Sequence, residues 1–243
     1  MKQIHRFFVP AGSIKKLRFL LEDATTVKHM RVVLRLKKGD KIELFDGEGK
    51  EYDATIGFLT TEQAAGVVDG EKDVTAKIMP PLFLAQSLPR AGKLDEVIRM
   101  NTEIGVQGFI LFESEYSIAK KETYGEDKMA RLARVSTESL RQSEGLINPD
   151  FYGPMTFAEA LDFKADLKIL LHSRLTEGAV DLHEFKKQMG LDKITIMYIG
   201  PEGGFSPKEL KLAAEKGVQV GYLKLPILRT ETASAVASGI LLS

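Results

Sequence analysis

The stretch IGPEGGFSPKEL, residues 199–210, decides the reading of this chain, and LPILRTETASAVASG, residues 225–239, completes it. The apolar run Ile194 to Ile199 has the pattern of a buried strand, which Gly200, Pro201, Glu202, Gly203 and Gly204 interrupt. Gly203 and Gly204 free the backbone for positive φ and let a ligand come close to the main chain. Ser206 as N-cap, Pro207 at the first helical position and Glu209 as capping-box partner then start a helix. In the second half Tyr222 to Leu225 read as a short strand and Pro226 sets the exit angle. Thr230 to Ala233 resemble a cap ahead of a helix of small residues, Ala233, Ser234, Ala235, Ala237, Ser238 and Gly239, which allows close packing. Two such turns in one domain can wall a single ligand site, although two turns of an ordinary α/β domain would satisfy each pattern alone. The Gly-x-Gly-x-x-Gly spacing of dinucleotide sites and the Gly-Lys-Ser/Thr of phosphate loops are both absent.

The 243 residues have room for one large domain or two modest ones. Lysine plus arginine equals aspartate plus glutamate at 34 each, so bulk charge does not announce a nucleic-acid binder. There is no cysteine, which excludes disulfides and thiolate chemistry and fits a reducing compartment. No apolar segment at the start is long enough for a signal peptide or a membrane span, so a cytoplasmic protein is expected.

Residues 1–72 read as a small β-rich domain. Arg6 to Pro10 form a short strand, 26–36 a helix with Val27, Met30, Val33 and Leu34 at helical spacing, and Lys41–Phe45 and Tyr52–Ile56 two strands around an Asp46-Gly47-Glu48-Gly49 turn. Residues 1–41 hold eleven lysines and arginines against the three acids Glu22, Asp23 and Asp40. A one-sided cationic face is what contact with a phosphate backbone requires, and a solvated surface has the same composition. Gly70 to Asp73 form a polar joint. Residues 73–243 then alternate strands (77–85, 108–112, 167–171) with amphipathic helices (94–104, 128–142) ahead of the two strand-turn-helix pairs, the pattern of an α/β domain with a largely parallel sheet.

Gly-Pro-Glu-Gly-Gly at 200–204 with Leu-Arg-Thr-Glu-Thr-Ala at 228–233 resembles the SPOUT methyltransferases, and within them the ribosomal RNA small subunit methyltransferase E family, which methylates N3 of a uridine in 16S ribosomal RNA. His29 to Arg35, followed by Lys38-Gly39-Asp40 and Phe45-Asp46-Gly47, looks like the PUA-like RNA-binding domain of the same family. The resemblance implies an N-terminal PUA-like β-barrel and a C-terminal SPOUT domain whose last segment is tucked into a trefoil knot. It also implies S-adenosylmethionine as cofactor, ribosomal RNA in the small subunit or its precursor as partner, and a homodimer whose packing face would be the small-residue helix over 232–242.

The cofactor residues that the resemblance implies are Leu171 and His172 at one strand end, and Ile199, Gly200, Pro201, Glu202, Gly203 and Gly204 at a second. Leu223, Leu225, Leu228, Arg229, Thr230, Thr232 and Ala233 supply the third wall. Main-chain amides of a glycine turn suit adenine or ribose edges, while Leu225, Ile227 and Leu228 suit the face of a ring. Transfer of a methyl group to a ring nitrogen is governed by alignment and exclusion of water. Arg229 is the candidate cation for charge developing on the base carbonyls, and Glu231 or Glu202 the candidate proton acceptor if burial raises its pKa. Glu231 also suits a helix start, paired with Arg229. Candidate RNA contacts are Arg6, His29, Arg31, Arg35 and Lys93. With four histidines and no cysteine, no metal site is expected.

The chain departs from the family pattern at Met100, where a lysine is usual, at Tyr116, where an arginine is usual, and over Arg141 to Gly145. These positions would face substrate, with Arg90, Lys93 and Arg99 as candidate replacement cations. The same chemistry on another RNA such as transfer RNA, or a non-catalytic RNA-binding or ribosome-assembly role, therefore stays open, as does a phosphate ligand at the Gly203-Gly204 turn.

Overall fold

A computed structural model describes residues 4–10, 12–90, 92–172 and 178–243. They divide into two compact units, one running to Ile78 with Leu140–Asn148 added, the other made of Met79–Ser139 and Pro149–Ser243.

The first unit carries β1 (His5–Phe8), β2 (Arg18–Leu21), α1 (Ala24–Lys28), β3 (Lys41–Phe45), β4 (Glu51–Leu59) and β5 (Ala64–Glu71). They form one sheet in the order β1-β3-β4-β5-β2, antiparallel except that β1 runs parallel to β3. Ile42 and Leu44 of β3 enter a core with Phe7, Phe19, Met30 and Ile56, and Lys41 stays outside. The hairpin between β3 and β4 turns where its sequence predicts, with the Asp46 carboxylate accepting the amides of Glu48 at 2.9 Å and Lys50 at 3.1 Å. The helix predicted over 26–36 changes form. Asp23 caps α1, and after Lys28 a π-helical turn over His29–Val33 buries Met30 while Val32 and Val33 remain exposed. Strands β2 and β5 were not predicted. Glycine and acidic residues give β5 little intrinsic strand preference, and it is held by partners on both sides. At Gly66 the backbones of β4 and β5 meet so closely that a Cβ would lie 2.0 Å from the Thr55 carbonyl oxygen.

The second unit adds β6 (Leu82–Ser87), α2 (Lys93–Ile104), β7 (Gly108–Glu113), α3 (Glu126–Gln142, its residues from Leu140 falling in the first unit), β8 (Asp150–Thr156), α4 (Phe157–Leu161), β9 (Leu167–Leu171), β10 (Val180–Asp181), α5 (Leu182–Lys186), β11 (Thr195–Ile199), α6 (Pro207–Glu215), β12 (Gln219–Tyr222) and α7 (Thr230–Leu242). Its seven strands lie in the order β10-β12-β9-β11-β6-β7-β8, every pair parallel. Alternate residues serve two cores. Phe109, Leu111, Ile169 and Met197 face α2, α5 and α7, whereas Ile110, Phe112, Leu170, Ile196 and Tyr198 face α4 and α6.

Two predicted strand limits move. β6 begins at Leu82 rather than Lys77, because Thr75–Lys77 make a single 3-10 turn and Pro80-Pro81 cannot donate to a ladder. β12 ends at Tyr222, and Leu223 to Leu225 leave the sheet. β8, a strand absent from the sequence-based expectation, lies at the edge of the sheet, where its Pro154 is tolerated. The small residues of α7 pack inside this unit. Asn101 of α2 donates to Ser234 Oγ at 3.0 Å and accepts from Ser238 Oγ at 2.7 Å. No helix among the described residues is long and apolar enough to cross a membrane.

Candidate functional site

Strands β12, β9 and β11 are neighbours pointing the same way, so their carboxyl ends open together, where parallel sheets bind ligands. A pocket of about 310 Å³ lies there. Leu171 and His172 wall it from the end of β9, Ile199 to Glu202 with Gly204 and Phe205 from the end of β11, and Leu223, Leu225 to Thr230 and Ala233 from the segment after β12. Three separate stretches of sequence, each read as a candidate, thus meet around one cavity. Gly203 and Thr232 fall outside its lining. Leu225 and Ile227 are 51% and 78% exposed and form its open side.

The β11 turn is rigid by construction. The Gly204 amide donates to the Pro201 carbonyl at 2.9 Å, with Gly204 at φ +72°. The capping box at Ser206 and Glu209 is present as predicted: the Glu209 amide donates to Ser206 Oγ at 3.2 Å and the Ser206 amide to Glu209 Oε2 at 2.8 Å. Glu209 Oε1 also accepts the Glu115 amide at 2.9 Å. The wall after β12 is tied to this turn from the other side. Thr230 is the first residue of α7 rather than its cap, which is Arg229. The Thr230 hydroxyl donates to the Gly200 carbonyl at 2.8 Å and accepts from Gln86 Nε2 at 3.0 Å. Gln86 is fully buried at the end of β6, and its Oε1 has no hydrogen-bond partner among the described residues.

Glu231 is 7% exposed and does not line the pocket. Burial works to raise its pKa, but its own backbone amide, Lys93 and Arg229 outweigh that, and the carboxyl is held below the usual range. Its Oε1 lies 3.1 Å from Lys93 Nζ, which also pairs with Glu96 at 3.2 Å. The burial-raised carboxyl that a proton acceptor needs is therefore not found at Glu231. Arg229 lines the pocket at the N-terminus of α7, is exposed, and its guanidinium makes no hydrogen bond to any described residue. It adds a full charge to the partial positive charge of the helix start.

The candidate RNA contacts separate. In the first unit Arg31 and Arg35 are exposed and His29 is half-buried on the turn that follows α1. Arg6 is 7% exposed and is withdrawn from any RNA-facing set. Its guanidinium bonds Glu51 Oε1 at 2.7 Å and the carbonyls of Leu140, at 3.1 Å, and Gly145, and lies 3.7 Å over the Phe45 ring. That arrangement helps join Leu140–Asn148 to the first unit, together with the backbone bonds from the Gly49 amide to the Leu146 carbonyl at 3.2 Å and from the Asn148 amide to the Gly47 carbonyl at 2.8 Å. Lys93 is engaged by Glu231 and Glu96.

Sequence reasoning missed Gln86 and Phe205. The polar pair Gln86-Ser87 closing an otherwise apolar strand was a usable signal for the first. Phe205 is read only in three dimensions, where its ring sits 5.3 Å from Phe157 and 6.3 Å from Phe112. Among the described residues no group of three or more histidine, aspartate or glutamate side chains is placed to hold a metal.

Residues 77–242 match the family model of an RNA methyltransferase domain, and residues 21–72 that of an RNA methyltransferase PUA domain. The ribosomal RNA small subunit methyltransferase E of Synechocystis sp. is 32% identical over 214 residues, covering 86% of this chain and 68% of that relative. That of Rickettsia conorii is 26% identical over 234 residues, covering 96% and 93%. The crystal structure of a ribosomal RNA small subunit methyltransferase E from Neisseria gonorrhoeae bound to S-adenosyl methionine matches with a TM-score of 0.84 at 28% identity, over 97% of this chain and 95% of that one.

Proposed function

The chain belongs to the ribosomal RNA small subunit methyltransferase E family, and on that premise we propose that it transfers a methyl group from S-adenosylmethionine to N3 of a uridine in 16S ribosomal RNA. The observation that carries this reading is the pocket at the ends of β9, β11 and β12. Its volume, apolar walls and glycine turn fit a nucleoside-sized ligand. Gly200, Pro201, Glu202 and Gly204 would hold its polar edges and Leu225, Ile227 and Leu228 its ring. Gly200 fits this role sterically, since a Cβ there would lie 3.1 Å from the Phe205 ring. When bound, S-adenosylmethionine supplies an electrophilic methyl group on sulfur. The transfer breaks that sulfur–carbon bond, forms a bond from the methyl carbon to N3 and releases the N3 proton.

The chain's own contribution is alignment and charge. The Thr230–Gly200 bond holds two pocket walls in fixed register, so that little reorganisation is needed when donor and acceptor meet. Arg229 and the start of α7 stabilise negative charge on the base carbonyls as N3 loses its proton. Glu231, ionised and paired with Lys93, orients the first turn of α7. Glu202 lines the pocket but is exposed rather than buried, so the proton passes to it or directly to water. The same reading has the cationic turn around Arg31 and Arg35 contact RNA, residues 1–72 and 73–243 act as the RNA-binding and catalytic domains, the C-terminal segment form the knot, and the protein work as a cytoplasmic homodimer.

The test is nucleoside mass spectrometry of small-subunit ribosomal RNA from a bacterial strain lacking its uridine-N3 methyltransferase, with and without this chain. Restored 3-methyluridine is the expected result. A soluble protein that binds S-adenosylmethionine and restores none would transfer the reading to another RNA.

A further inference from the structure

We propose that Tyr116 is a stacking platform on which a base splayed out of single-stranded RNA rests beside the pocket, an inference that builds on the methyltransferase reading above. Tyr116 is 47% exposed, yet the loop that carries it is fixed in place. The Ser114 amide donates to Ser117 Oγ at 3.0 Å, the Ser117 amide to the Ser114 carbonyl at 3.0 Å, and the Ser87 and Ser117 hydroxyls lie 2.8 Å apart. The Glu115 amide donates to Glu209 Oε1, so the carboxylate that caps α6 also pins the residue next to Tyr116. Lys120 Nζ and the Lys121 amide close the loop on Glu113 at 2.7 and 2.9 Å.

The ring is backed by the pocket's own turn. A Cβ on Gly203 would lie 3.0 Å from Tyr116 Cβ and 3.6 Å from its ring, so the side chain rests on Gly203 while Glu202 and Gly204 on either side line the pocket. Tyr152, also exposed in this unit, packs on Phe83 and Phe163 at 6.5 and 5.2 Å. Tyr116 has no aromatic neighbour and no hydroxyl partner among the described residues. An exposed aromatic ring that no internal packing explains, held still at the rim of a site that must receive an extruded base, has what base stacking requires. A fixed ring loses little freedom when a base settles on it.

The chain contains no tryptophan, so Tyr116→Trp introduces a sole indole reporter. Titration of that variant with a uridine-containing single-stranded RNA is expected to quench its fluorescence saturably, while S-adenosylhomocysteine alone leaves it unchanged. In steady-state kinetics Tyr116→Ala is expected to lower kcat/KM for RNA by roughly 5- to 150-fold, with S-adenosylhomocysteine affinity retained and Tyr116→Phe close to the parent. Tyr116→Leu keeps bulk on Gly203 without a π face and is expected to behave like the alanine variant. Undiminished kcat/KM in Tyr116→Leu, no quenching by RNA, or quenching by S-adenosylhomocysteine alone overturns the proposal. If the parent chain methylates no RNA, the functional reading fails, and quenching of the indole by RNA still decides the platform.

Discussion

The Thr230 hydroxyl donates to the Gly200 carbonyl at 2.8 Å, so the first turn of α7 is fastened to the exit of a strand thirty residues earlier. Gln86 Nε2 completes the junction by donating to the same hydroxyl. Thr230→Val keeps the shape and deletes the oxygen, so the Gly200 carbonyl loses this donor and Gln86 Nε2 keeps only its bond to the Ser87 carbonyl at 2.9 Å. Urea unfolding is expected to show a loss of about 1–3 kcal/mol, with weaker S-adenosylhomocysteine binding by calorimetry. Thr230→Ser should recover most of both, and an undisturbed valine variant would refute the role of the junction.

Glu231 carries a pH-dependent share of the stability. A carboxyl whose folded pKa lies below its unfolded one stabilises the fold above the unfolded value, about 4.3, and loses that contribution as pH falls through the folded one. Burial opposes this shift, and the backbone amide, Lys93 and Arg229 prevail. Glu231→Gln should therefore unfold more easily than the parent at neutral pH, with the gap closing below about pH 4. Paired denaturation curves across that range are the measurement; a gap independent of pH would mean that the charge is not what matters.

Arg6 supports the first unit rather than RNA. Burial raises the pKa of the Glu51 carboxyl, but Lys77 and Arg6 outweigh it and keep the group ionised at 1% exposure. Removing one partner of a buried pair costs about 3–5 kcal/mol, and the Lys77 contact at 2.9 Å places Arg6→Ala toward the lower end. Circular dichroism melts should reveal that loss. Electrophoretic mobility shifts at a temperature where both proteins are folded should give nearly equal RNA affinities.

Arg229→Met removes a cation that lines the pocket and keeps a long side chain. Single-turnover methyl transfer is expected to slow by roughly 100- to 1,000-fold, with S-adenosylhomocysteine still bound. In the same assay, at one fixed pH, Glu202→Gln is expected to slow methyl transfer as the pocket carboxylate that receives the proton is removed. A parent-like rate in that variant would reassign the acceptor to water.

Local rules were legible without coordinates. The Ser206-Pro207-Lys208-Glu209 start of α6, the limits of β3 and β9, and the parallel α/β character all follow from capping chemistry and apolar periodicity, which act over a few residues. Two of the pocket's three segments were legible as strand exits through glycine or proline, and the third, Leu171 and His172, was implied by the family resemblance. Strands such as β5 and β8 were not, since their own residues do not favour a strand and cross-strand partners impose it.

The sequence alone determined the capped start of α6, strands such as β3 and β9, and the glycine-rich break after β11. Only the tertiary structure decided what those residues touch. Arg6 looked like an exposed cation and is buried against Glu51 and the Leu140 carbonyl; Glu231 looked like a base and is paired with Lys93; Tyr116 looked like a lost arginine and is a ring resting on Gly203. The physical reason is that hydrogen bonding and charge pairing depend on distance in space, and partners such as Arg6 and Leu140, 134 positions apart, meet only when the chain has closed.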